Sequence, residues 1–195
     1  MKREIRTIGI DDSPFVFKKD QFAFLVGVIY RGNIWPEGVE MRHIEVDGVD
    51  STSAIVDMVK KSRHFDQIRM IFLSGVTFAG LNLADPQAIA TDTYIPVVTI
   101  VDKKPNIEEM KRALERTVDS EIKKAKLSGM TELREIVDTD SGKRLYIQVF
   151  GTSFNSAIEA IELTRRASAE PESVRVAKLF ASSLPTYSEI KKLIR

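Results

Sequence analysis

Apolar and polar residues alternate over residues 5–11 and again over residues 39–46, and an apolar run with Gly27 inside it covers residues 22–30. Period-two alternation marks strands with one covered face. Asp12, Ser13 and Pro14 break the first pair, and Arg31, Gly32, Asn33 and Pro36 break the second, so three successive strands should form an antiparallel meander. After Asp50, a plausible N-cap, Ala54, Ile55, Met58 and Val59 recur at helical spacing and predict a helix to about residue 63. Residues 68–73 and 95–101 are short runs rich in β-branched residues, the form of strands covered on both faces. Between them lies a turn-rich stretch with Gly75, Gly80, Asn82 and Pro86. Asn106 caps a long predicted helix that carries Ile107, Met110, Leu114, Val118 and Ile122 and ends at Gly129. Residues 133–137 and 144–150 flank the turn-forming stretch 138–142 as a hairpin. Helices are expected over 155–166, 173–183 and 188–194.

This β-β-β-α-β-α-β order is that of an α/β ribonuclease H-like fold. The expectation is a mixed five-stranded sheet in the order 3-2-1-4-5, flanked by helices, with an added C-terminal hairpin and helices. With 195 residues, 43% of them apolar, and no repeat or linker, the chain is expected to be a single domain over 1–195.

Composition narrows the function classes. Twenty-nine basic against 28 acidic residues leave a net charge of +1, so any nucleic-acid contact must come from local patches. The absence of cysteine removes disulfides, thiolate metal sites and cysteine nucleophiles together. The charged start over residues 1–6 is unlike a signal peptide, and no stretch reaches the roughly 20 apolar residues of a membrane span. A cytoplasmic protein with no membrane partner is expected.

In a 3-2-1-4-5 sheet the C-terminal ends of strands one, three, four and five open on one edge. That edge receives Asp11 and Asp12 from strand one, then Asp47, Asp50, Ser51 and Thr52 from the strand-three end and the helix start. Neighbouring strands lie about 4.8 Å apart, near enough for carboxylates on adjacent ends to share a hard cation. One or two Mg²⁺ or Mn²⁺ ions there could orient water and neutralise a scissile phosphate. The same residues have plainer uses: Asp12, Ser13 and Pro14 as a turn, and Asp50 as a helix cap.

Three segments carry a resemblance: IGIDDSPF over residues 8–15, VDGVDST over 46–52 and GVTFAGLNLAD over 75–85, joined by PESVRVAK over 171–178. Together they are similar to the motifs of the archaeal endonuclease dU family, a relative of endonuclease V. The resemblance implies a metal-dependent endonuclease that hydrolyses a phosphodiester near a deaminated base, deoxyuridine favoured. It places Asp11 at the first metal-binding aspartate and Ser74 at the second, where the family's relatives carry a carboxylate. Asp47, Asp50 or Asp85 could supply the missing ligand; the endonuclease V glutamate has no clean counterpart, because the helix begins Ser51-Thr52-Ser53. Asp12, Asp47 and Asp50 join Asp11 as candidate catalytic residues. Lys103 stands near the position of a phosphate-binding lysine, or is a solvated strand-end lysine. Ser74, Thr77, Asn82, Arg175 and Lys178 complete the candidate substrate contacts, although for Asn82 anchoring its loop is the slightly favoured role. Trp35 could stack on a base or plug a turn, and neither His43 nor His64 is taken as a catalytic base. The runner-up reading is a nucleic-acid-binding protein on the same scaffold without cleavage. A partner-binding protein using the mixed-charge helix ranks third.

Overall fold

The computed structural model describes residues 4–193. The end of the last predicted helix, at Ile194, lies outside them, as do the ends of the expected domain. At the centre runs β1 (Arg6–Asp12), antiparallel to β2 (Phe22–Arg31) on one side and parallel to β4 (Ile68–Leu73) on the other. β3 (Trp35–Glu45) pairs with β2, and β7 (Val97–Val101) with β4. The predicted meander and order are therefore present, in a ribonuclease H-like mixed sheet.

Among the described residues the sheet has seven strands where five were expected. β8 (Arg134–Val137) and β9 (Arg144–Phe150) extend it, with β9 antiparallel to β7, giving the order β3-β2-β1-β4-β7-β9-β8. The reason is the edge: a buried strand such as β7 would leave a row of unpaired N–H and C=O groups, and the hairpin covers them.

Other departures follow from local chemistry. The predicted long helix divides into α3 (Ile107–Leu114) and α4 (Ser120–Ser128). Asp119 between them has φ +60°, and the Thr117 hydroxyl donates to the Leu114 carbonyl, a local bond that competes with helix continuation. The turn-rich stretch holds a small hairpin, β5 (Thr77–Phe78) and β6 (Asn82–Leu83), and then α2 (Pro86–Thr93). β3 starts at Trp35, four residues earlier than expected, because a bulge after Ile29 accommodates Pro36. Trp35 is thus an exposed strand residue beside the Arg31 guanidinium and not a turn plug.

Side-chain alternation assigns the two faces. Ile8 and Ile10 join the core beneath α1 (Ser51–Lys61) and α2. The odd-numbered residues of β1 face α6 (Glu172–Ser183), with α5 (Phe154–Thr164) alongside over β4, β7 and β9. The Thr7 hydroxyl donates to the Ser173 hydroxyl at 3.1 Å. At Gly9 there is no room for a side chain: a Cβ would lie 2.2 Å from the Ser173 carbonyl carbon. This close approach is what sets α6 directly on β1. α7 (Tyr187–Leu193) follows.

Candidate active site at the sheet edge

Asp11 shares the α6 face with Thr7 and Gly9. Ser74, the first residue past β4, donates its backbone N–H to the Ile10 carbonyl at 3.0 Å, which brings its hydroxyl onto the Asp11 carboxylate as a hydrogen-bond donor. Val174 packs over Gly9. One helical turn further, about 5.4 Å along α6, comes Lys178, while two residues of β1 advance about 6.6 Å to Asp11. The two elements thus deliver an ammonium and a carboxylate to the same edge. Lys178 is paired there with Glu170 at 2.6 Å. Burial holds the Asp11 carboxyl above its ordinary range, opposed in part by the Ser74 hydroxyl and the Lys178 charge and reinforced by Glu170.

Asp12 points to the other face. Its Oδ2 accepts the Ala79 N–H at 2.7 Å. Burial, with repulsion from Asp11 added, pushes its carboxyl up to about 6 despite that bond.

The remaining carboxylates do not join Asp11, which corrects the expectation of a shared acidic cluster. Asp47 has φ +56° and accepts the Leu81 N–H at 2.8 Å. Asp50 is helical and makes no side-chain cap, contrary to the sequence reading. Its carboxylate accepts the Glu45 N–H at 3.2 Å and the Asn82 amide at 2.6 Å. Asp85 caps α2 through the Ala88 N–H. Asn82 is fully buried and also bonds the Ser51 N–H and the Glu45 carbonyl, so it anchors the loop. Among the described residues no three Asp, Glu or His side chains converge as metal ligands. The predicted set Asp11, Asp47, Asp50 and Asp85 therefore does not gather as one four-carboxylate centre; Mg²⁺, which keeps several waters and takes one or two carboxylates, would have Asp11 as its protein ligand on this edge.

Arg175 is held bidentately by the buried Glu172, at 2.9 and 2.7 Å, so it is not free for a phosphate. Lys103 lies exposed just past β7. Thr77 and Ser74 line a cavity of about 330 Å³ between the 74–77 loop, β7, β9 and the α3–α4 layer. Sequence reasoning missed this cavity and Glu170. It also missed Lys123 and Lys126 of α4, whose ammonium groups bond the Asp47, Val49 and Leu83 carbonyls. A lysine pointing inward from a mixed-charge helix leaves no trace in spacing, whereas the 171–178 segment did signal Lys178.

Comparisons with known proteins bear on the fold and the family. Over residues 3–185 the chain matches the family model described as endonuclease dU. A UPF0215 protein of Pyrococcus horikoshii is 39% identical over 94% of each chain. The crystal structure of a protein of unknown function from Archaeoglobus fulgidus superposes with TM-score 0.80 at 31% identity, covering 90% of this chain and 95% of that one. Endonuclease V of Ciona intestinalis, solved with DNA containing an inosine, shares the fold at TM-score 0.57 and 12% identity, over 96% of this chain and 87% of that one. The chain belongs to the endonuclease dU family.

Proposed function

We propose that this protein is an endonuclease that breaks a phosphodiester of DNA close to a deaminated base, deoxyuridine foremost. Family membership supports a nuclease acting on DNA. The Ciona enzyme's complex with inosine-containing DNA supports a deaminated base as the feature recognised; reaching such a base inside a duplex requires its extrusion.

The observation that carries the reading is Asp11: a desolvated carboxylate on the sheet edge, bonded by Ser74 and within reach of the Lys178 charge. A carboxyl raised by burial is a better proton acceptor than an ordinary one. In this reading Asp11 takes the proton of an attacking water as its oxygen bonds to phosphorus, the bridging P–O bond breaks and the leaving oxygen takes a proton from solvent, while Ser74 fixes the orientation of the carboxylate and Lys178 exchanges Glu170 for a phosphate oxygen.

The test is end-labelled duplex DNA carrying one deoxyuridine, one inosine or neither, incubated with Mg²⁺, Mn²⁺ or chelator, beside Asp11→Ala. Cutting at the lesion that disappears in Asp11→Ala is the expected result. Intact DNA in every arm refutes cleavage of these substrates. Tight binding in those arms selects the second reading, nucleic-acid binding without catalysis, which the hydroxyl at position 74 and the dispersed carboxylates favour.

A further inference from the structure

The cavity beside Ser74 has a definite chemical character. Not one of its lining residues is charged. Val101, Ile107, Met110 and Met130 supply apolar walls, and Thr99 and Gln148 supply polar groups on the sheet side. A volume of about 330 Å³ falls at the lower end of small-ligand sites, which run from roughly 300 to 1,000 Å³. Phosphates and sugar phosphates lack a cation here. A flat, neutral ring with hydrogen-bonding edges suits both the walls and the polar groups.

Gln148 is 9% exposed and held in one orientation. Its Nε2 donates to the Thr131 carbonyl at 2.6 Å. A carbonyl only accepts, so turning the amide over would set two oxygens against each other. Its Oε1 therefore stays an acceptor; Thr99 donates to it at 3.4 Å, and a second lone pair remains for the cavity.

We propose that this cavity receives a nucleobase swung out of the duplex, and that Gln148 selects one carrying a ring N–H on its pairing edge. Uracil and hypoxanthine have that N–H between or beside carbonyl groups. Cytosine and adenine present a lone pair at the same ring atom, which would face the Oε1 lone pair of Gln148. Deamination converts the second pattern into the first, which thymine and guanine also carry, so this contact separates uracil from cytosine and hypoxanthine from adenine. Ser74 both lines the cavity and bonds Asp11, so the cavity and the candidate catalytic carboxylate share a residue. The inference rests on the nuclease reading for its biological sense, but extrusion and selection can be measured without cleavage.

The experiment uses the full chain and duplexes with dU, N3-methyl-dU or dC opposite guanine, each with 2-aminopurine as the 3′ neighbour. Fluorescence reports unstacking, and a label on the same strand reports cutting. Wild type should unstack and cut the dU duplex. N3-methyl-dU should lose roughly 10-fold or more in both, the order expected when a buried acceptor is left without its donor. Gln148→Leu should lose a similar factor on dU while its affinity for undamaged duplex stays unchanged. The methylated base tests the same contact with wild-type protein, so a folding defect in the variant cannot decide the result. Equal cutting of dU and N3-methyl-dU overturns the role of Gln148 and leaves the nuclease reading standing. A fluorescence rise with dU alone, with no cutting, supports the cavity and refutes the nuclease. No rise and no cutting overturns both.

Discussion

Replacing Gly9 with alanine tests the contact that places α6 on β1. The added Cβ would lie 2.2 Å from the Ser173 carbonyl carbon, 2.3 Å from the Val174 nitrogen and 2.4 Å from the Ser173 oxygen. All three are backbone atoms, so no side chain can rotate out of the way, and the helix start must retreat by about 1 Å to restore ordinary contact near 3.4 Å. Overpacking of this kind costs about 1–3 kcal/mol, and a clash with rigid backbone belongs at the upper end. Retreat also stretches the buried Thr7–Ser173 hydrogen bond, worth about 1 kcal/mol, and loosens Val176, Ala177 and Ala181 from Val26, Val28 and Tyr30. The expected loss is about 3 kcal/mol. With an m-value of roughly 2–3 kcal/mol/M in urea, the unfolding midpoint should fall by about 1–1.5 M. Gly38→Ala is the control: its nearest neighbour is the Ile29 Cδ1 at 3.4 Å, and its midpoint should move by less than about 0.3 M. A Gly9→Ala midpoint within that control range would refute the close-approach argument. Because α6 carries Lys178, cutting should decline in Gly9→Ala as well.

Three further outcomes are expected. Asp12, held near 6 against an ordinary 3.8, binds its proton more firmly in the folded state, so the stability it contributes is full below about pH 4 and is lost as pH rises through 6. Asp12→Asn stays neutral and keeps an acceptor for the Ala79 N–H; it should match wild type near pH 4 and exceed it at pH 8 by about 1–3 kcal/mol in urea unfolding, and equal stability at both pH values would count against a desolvated carboxylate. Arg175→Ala strands the buried Glu172 carboxylate, which burial works against and the guanidinium holds below its usual range. It should lower the melting temperature by roughly 4–10 °C and leave the salt dependence of DNA affinity unchanged, whereas a slope smaller by about one would make Arg175 a phosphate contact after all. Lys123→Met removes the donor to the Asp47 carbonyl from a fully buried position, and should cost about 1–3 kcal/mol; an unchanged urea midpoint would show that the bond is dispensable.

Much of the architecture was legible before any coordinates. Period-two alternation in β1 and β3, the helical spacing after Asp50 and the β-branched runs of β4 and β7 are local properties, dictated by which face of each element must leave water. So was the family, because IGIDDSPF, GVTFAGLNLAD and PESVRVAK are contiguous strings. Asp11 and Ser74 came from that legible part, and the structure brings them together. What could not be read depends on partners distant in sequence. The hairpin joined the main sheet because the edge of β7 needed cover, and this brought Gln148 opposite Thr99. Adjacent Asp11 and Asp12 diverged because neighbouring strand residues face opposite sides. Asp47, Asp50 and Asp85 share a composition suited to metal binding, yet backbone N–H groups, the Asn82 amide and a helix end claimed them first. Carboxylates close in sequence share an ion only if their oxygens point to one centre, and where each oxygen points is a property of the folded chain alone.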